Sequence, residues 1–150
     1  MINNYFYMDC PFCKQEVIDN QKVFEGDHVY VLHNIRPANT GQCVVFPKRH
    51  VENIRELNQE ELSELILTVQ MVSNKLNEHL EHVGFNYGFN EGHHSGQRVP
   101  HFHFHILPRK DGDYDRLPEF HLFHRAPSSK RNLEKDELRP LVEEIRDVLN

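Results

Sequence analysis

The residues best suited to chemistry lie in one run, Gly96-Gln97-Arg98-Val99-Pro100-His101-Phe102-His103-Phe104-His105-Ile106-Leu107-Pro108. In an extended strand alternate side chains point to opposite faces. His101, His103 and His105 then share one face, and Phe102, Phe104 and Ile106 share the other. No core needs three imidazoles in a row, so the pattern describes a half-buried strand with a chemical face turned to a cleft. The three cannot all ligate one ion: a rise of ~3.3 Å per residue puts the outer two ~13 Å apart, whereas a zinc–nitrogen bond is ~2.0–2.1 Å. Two adjacent ones could share an ion, but three separate tasks fit better. One task that suits a strand histidine is nucleophilic attack on phosphorus. A neutral imidazole nitrogen is a competent nucleophile at pH 7, and its phosphoramidate is labile. The phosphoryl oxygens need donors, which backbone N–H groups of a glycine-bearing loop supply. Gly92, Gly96 and Gln97 stand directly upstream.

A second cluster, Cys10-Pro11-Phe12-Cys13, places two sulfurs around a tight turn. A redox pair of this form normally opens a helix. Lys14-Gln15-Glu16-Val17-Ile18-Asp19 is short and mixed for a helix, which favours half of a zinc site. Structural zinc is four-coordinate, so two further ligands must come from elsewhere. Cys43, alone in an apolar stretch, reads as inert core. An odd total of three cysteines is not a disulfide framework.

The elements that must position these groups follow from periodicity. Val23-Phe24-Glu25 and His28 to His33 read as two strands around Gly26-Asp27, and Gln42 to Pro47 as an apolar central strand. Asn58 with Glu61 forms a capping box. Leu62, Leu65, Ile66, Val69, Val72, Leu76 and Leu80 then recur at helical steps, giving a helix from about Gln59 to His82, with Gly84 marking its end. Phe85 to Asn90 alternates as a half-buried strand, and Glu91 to Gly96 is a polar loop. Residues 114–131 form a long irregular stretch with an aromatic patch at Phe120, Leu122 and Phe123. Glu134 to Leu149 has helical spacing, with Pro140 breaking or kinking it or opening its main part. The whole is an α+β chain with an antiparallel sheet of about five strands, one long helix on one face and a C-terminal helix. No repeat or internal boundary divides residues 1–150.

The 150 residues carry 38% apolar and 27% charged side chains and a formal charge of -6. That balance argues against a nucleic-acid polymer as partner without excluding a small anionic ligand. No apolar run reaches the length of a membrane span, and Met1 to Tyr5 lacks a signal-peptide pattern, so the expected location is cytoplasmic. Twelve histidines point to metal or proton chemistry somewhere, although most outside the motif, His33 among them, read as surface residues.

Gly-Gln-x-Val-x-His-x-His-x-His, with Asn90-Glu91-Gly92 upstream and Asn34 after the early strand, resembles the signature of the histidine triad superfamily (HIT) of nucleotide hydrolases and transferases. The resemblance covers about residues 8–113, leaving 114–150 as a C-terminal extension. His105-Ile106-Leu107-Pro108-Arg109-Lys110 with Gly112-Asp113 is similar to the fragile-histidine-triad and bacterial branches. The resemblance implies a HIT-like fold and a symmetric homodimer meeting through the long helix and the following strand. It implies that His103 attacks the α-phosphorus of a small nucleotide, and that water hydrolyses the nucleotidyl-histidine. His105 would hold the phosphate, Asn90, Gly96 and Gln97 would line its site, and Asn34 would meet the ribose. Leu32 and Ile35 would flank the base, with Phe6 or Phe12 as further candidates and His93 and His94 within reach of the substrate. In zinc-containing members the first triad histidine completes a Cys-Cys-His-His site, here Cys10, Cys13, His50 and His101. Many relatives carry Ser or Thr after Gly-Gln. Arg98 stands there in this chain, where a guanidinium can bind a polyphosphate leaving group.

The implied reaction is hydrolysis of dinucleoside polyphosphates or nucleoside phosphoramidates to a nucleoside monophosphate. Nucleotidyl transfer or phosphorolysis through the same histidine is an alternative, since the acceptor is decided by pocket shape. A nucleotide-binding sensor with weak turnover is another, as is a redox or metal-handling protein built on Cys10 and Cys13.

Overall fold

A computed structural model describes residues 10–81, 84–113 and 131–150. The expected aromatic patch, Phe6, His82, His121 and His124 lie outside these residues. Three helices and five strands follow in the order α1 (Gln15–Gln21), β1 (Lys22–Glu25), β2 (Val29–His33), β3 (Cys43–Pro47), α2 (Gln59–His79), β4 (Gly84–Gly88), β5 (Phe104–Arg109) and α3 (Lys135–Leu149). The strands form one antiparallel sheet in the order β1-β2-β3-β5-β4. The fold class is the α+β arrangement expected. β3 is central and wholly buried, as its continuous apolar run requires.

Strand alternation sorts the sheet into two faces. Val29, Val31, Cys43, Val45 and Ile106 join Leu65, Val69, Val72 and Leu76 of α2 and Leu138, Val142, Ile145 and Leu149 of α3 in the main core. Leu32, Val44 and Phe46 point the other way, where Phe12, Val17 and Tyr30 pack on them. Leu32 pairs with Val44 and Val44 with His105, so His105 lies on this second face. Gly88 is paired with His105 on the other side and presents no side chain there.

Several expectations are corrected by this arrangement. A helix does follow the Cys-x-x-Cys turn: α1 is amphipathic only weakly, burying Ile18 and Gln21, so it leaves little periodic signal. The long helix stops at His79, with the Leu80 N–H capping onto the Leu76 carbonyl. The chain reverses at Glu81, whose φ is 48°, while Gly84 opens β4. The apolar stripe of α2 is narrower than its periodicity suggests, because Leu62 and Ile66 are 39% and 49% exposed. Pro140 neither breaks nor starts α3, which runs through it from Lys135. β5 begins at Phe104 rather than His101, because Pro100 and His101 lie in a bend that turns His101 toward Cys10.

The capping box at α2 is complete. The Asn58 side chain accepts from the Glu61 N–H at 2.8 Å, and the Glu61 carboxylate accepts from the Asn58 N–H at 3.0 Å. Arg49 adds a bidentate pair to Glu61 at 2.9 and 2.7 Å. Asn58→Ala is expected to cost about 1 kcal/mol, read as a lower urea midpoint with unchanged slope.

Beyond the far end of β5, Asp113 is 1% exposed and receives Arg109 Nε at 2.9 Å and Asn39 Nδ2 at 2.6 Å. Asn39 also donates to the Pro108 carbonyl at 2.9 Å. Burial would raise the Asp113 carboxyl, but the Lys110 N–H, Asn39 and Arg109 together hold it below its ordinary value. This network ties the loop after β2 to the end of the histidine-bearing strand. No helix among the described residues is long and apolar enough to cross a membrane.

Candidate active site and metal cluster

The first histidine of the motif belongs to a separate cluster. Donor atoms of Cys10, Cys13, His50 and His101 all lie within 4.8 Å of one another. His101 Nδ1 is 3.5 Å from Cys10 Sγ and 3.6 Å from Cys13 Sγ, and His50 Nδ1 is 3.2 Å from Cys13 Sγ. A tetrahedral zinc with ordinary bond lengths places sulfur and nitrogen ligands about 3.6 Å apart, so the spacing fits such an ion. His101 Nε2 donates to the Pro47 carbonyl at 2.7 Å, which leaves the Nδ1 lone pair aimed at the sulfurs. That is the outer contact a metal-ligating imidazole uses to fix its tautomer. Burial pushes the Cys13 thiol up to about 12, with Cys10 adding to the effect, and burial pulls His101 down to about 4. Neutral imidazoles suit a cation, and a cation is what would draw the thiols to thiolates. The helix found after Cys13 removes one argument against a redox pair, but the two histidines at ligand distance supply a better one.

His103 is 8% exposed and has a different set of neighbours. Its Nδ1 donates to the His101 carbonyl at 2.7 Å, so the proton sits on Nδ1 and the Nε2 lone pair is left for chemistry. Burial pulls its basicity down, opposed in part by that carbonyl. The His105 ring stands 4.8 Å away, centroid to centroid, at 70°. Phe12 presents its edge to His103 at 5.2 Å and stacks on Phe46 at 4.5 Å. Phe12 therefore borders His103, a position that linear spacing leaves open. Leu32 lies in the same small cluster, whereas Ile35 packs against the main core on the opposite face and does not pair with Leu32 as expected. The bend at Pro100 thus divides the triad: His101 turns to the sulfurs, and His103 and His105 stay together.

The loop before the motif is wired to the segment after His50. Glu91 accepts from the Ile54 N–H at 2.9 Å and from Arg55. Gln97 donates to the Glu52 carbonyl at 2.9 Å and accepts from the Gly92 N–H at 2.7 Å. Its side chain therefore closes the loop, rather than standing open as a phosphate donor. Gly92 and Gly96 adopt φ of 83° and 85°, the left-handed side of the backbone map that glycine reaches without strain. Asn90 is half-buried at the root of this loop, and Arg98, His93 and His94 are exposed on it. Asn34 Oδ1 accepts from the Arg36 N–H at 2.8 Å, which fixes the Asn34 side chain in a turn directly after β2. His33, expected on the surface, is fully buried. The alternation of Val29, Val31 and His33 carries that signal.

The family model of the HIT domain matches residues 15–112. The bis(5'-adenosyl)-triphosphatase of Dictyostelium discoideum is 36% identical over 83% of this chain and 87% of its own length. The bifunctional bis(5'-adenosyl)-triphosphatase/adenylylsulfatase of Arabidopsis thaliana is 33% identical over 87% and 75%. Among solved structures, a hypothetical histidine triad nucleotide-binding protein from Sulfolobus tokodaii superposes with a TM-score of 0.73 at 27% identity, covering 93% of this chain and 91% of that one. With His101 set among Cys10, Cys13 and His50 and apart from His103 and His105, and with these likenesses, the chain belongs to the HIT domain family.

Proposed function

We propose that this chain hydrolyses dinucleoside polyphosphates, with His103 as nucleophile. The observation that carries the reading is the His103 Nδ1 contact to the His101 carbonyl at 2.7 Å, which leaves the Nε2 lone pair for attack on phosphorus. The names of the Dictyostelium and Arabidopsis relatives, both bis(5'-adenosyl)-triphosphatases, support the substrate class.

In the first step Nε2 attacks the α-phosphorus. A P–N bond forms, the bond to the bridging oxygen breaks, and the nucleoside polyphosphate leaves. Water then attacks the same phosphorus, releasing the monophosphate and returning the electron pair to Nε2. His105 and the N–H groups of the 92–97 loop stabilise the phosphoryl charge, with Asn90 and Gly96 lining that side and Gln97 holding the loop closed. Asn34 meets the ribose, Phe12 and Leu32 border the base, and Arg98 meets the leaving phosphates. A zinc ion held by Cys10, Cys13, His50 and His101 would supply structure rather than Lewis-acid chemistry, because all four positions are taken by protein. Incubation with diadenosine triphosphate is expected to yield AMP and ADP. Failure to release AMP from any diadenosine polyphosphate would refute the reading, and product that incorporates added inorganic phosphate would replace hydrolysis by phosphorolysis.

A homodimer accompanies this reading. β4 is an edge strand carrying Tyr87, 45% exposed, and α2 exposes Leu62, Ile66 and Leu67. An edge strand and exposed apolar side chains suit pairing with a second copy. Ile66→Glu should halve the mass measured by sedimentation. An unchanged mass would place the interface elsewhere.

A further inference from the structure

His33 is a buried, titratable residue to which the reaction above gives no part. Both of its ring nitrogens are engaged by the backbone of one loop. Nδ1 donates to the Asn34 carbonyl at 2.9 Å, and Nε2 accepts from the Gly41 N–H at 3.3 Å. Only the neutral imidazole with its proton on Nδ1 satisfies both contacts. Gly41 is suited to its end of this bridge, with a φ of 83° and no room for a side chain: a Cβ there would lie 2.6 Å from Leu80 Cδ1. The ring thus bridges the two ends of the loop, from Asn34 to Gly41.

The same loop is held from outside by the chain that leads into α3. Leu133 N–H donates to the Ile35 carbonyl at 2.9 Å, and Arg36 Nε donates to Asn132 Oδ1 at 2.5 Å. Within the loop the Ala38 N–H donates to Gln42 Oε1 at 2.7 Å and the Asn34 N–H to the Gln42 carbonyl at 2.8 Å. His33 and Cys43 face the main core across the β2–β3 pair, while Leu32 and Val44 face the opposite side of the sheet, where Phe12 packs. The imidazole therefore reaches the Asn34 backbone from behind the sheet, away from the substrate side.

We infer that His33 is a positioning residue for substrate selection: from the core side it holds the Asn34 loop in the geometry that recognises ribose. This rests on the ribose contact of Asn34 proposed above. Diadenosine triphosphate and its 2'-deoxy analogue are compared as substrates for the wild type, His33→Phe, His33→Gln and Asn34→Ala, with hydrogen exchange at the Gly41 amide measured in parallel. His33→Phe keeps a ring and removes both contacts. It should speed Gly41 exchange, raise KM for the ribose substrate and lower the ribose-over-deoxyribose preference by roughly tenfold, the worth of one or two hydrogen bonds, with kcat nearly unchanged. His33→Gln, whose amide oxygen can accept from the Gly41 N–H, should recover part of the preference and serves in place of His33→Phe should that variant not fold.

Loss of preference in Asn34→Ala with full preference in both folded His33 variants would overturn the role of His33 and leave the ribose contact standing. Full preference in Asn34→Ala would overturn the ribose contact itself, and with it this inference.

Discussion

His103→Ala is expected to lower turnover of diadenosine triphosphate by roughly 10⁴-fold or more, the scale seen when a nucleophile is removed from an otherwise intact site. Metal content and melting midpoint should stay close to wild type. His103 lies beside the Phe12 and His105 rings, and its Nδ1 donates to the His101 carbonyl, which water can satisfy once the ring is gone. What is lost is the covalent route. The 91–97 loop keeps its ties to Glu52, Ile54 and Arg55, so substrate should still bind, and KM should move far less than kcat. Substantial remaining turnover would mean that another group attacks phosphorus, or that water attacks directly.

His101→Ala should do nearly the reverse, striking the fold before the chemistry. His101 is fully buried, spans from the Pro47 carbonyl to the two sulfurs and packs its ring edge against Phe46 at 5.2 Å. Its removal opens a cavity and takes away one of four donors. A ligand held a thousandfold above its dissociation constant contributes ~4 kcal/mol to stability, so the variant should lose its zinc and melt roughly 10 °C lower. A chelator should lower the midpoint of the wild type and leave that of His101→Ala unchanged. Turnover should fall as well, because the His101 carbonyl orients the His103 ring, but by less than in His103→Ala. Full zinc and normal melting in His101→Ala would refute the division of the triad.

That division shows where the sequence is a good guide and where it is not. Strands β2 and β3 and the body of α2 follow from alternation and helical spacing, because each buries a face against a single large core. Helix α1 is hidden, since burying Ile18 and Gln21 needs no periodic stripe. The end of α2 is misplaced because Glu81, not a glycine, takes the left-handed turn. Residues 101–103 read as strand by composition, yet Pro100 and the pull of His101 toward the sulfurs bend the chain before β5 begins. The ligand set Cys10, Cys13, His50 and His101 rests on resemblance in the sequence, because 37 residues separate Cys13 from His50 and spacing alone says nothing of their meeting. Phe12 beside His103, and His33 behind Asn34, arise from tertiary packing, although the alternation of β2 does assign His33 to the core face.

Attack by His103 predicts a covalent adenylyl intermediate on its Nε2. Turnover of diadenosine triphosphate, stopped by an alkaline denaturing quench that preserves phosphoramidates, followed by proteolysis and mass measurement, tests it most directly. An adenylyl group on Nε2 of His103, absent from the His103→Ala variant, is the expected result. An adduct on His105 or on any other residue, or active turnover with no adduct at any time point, would contradict it.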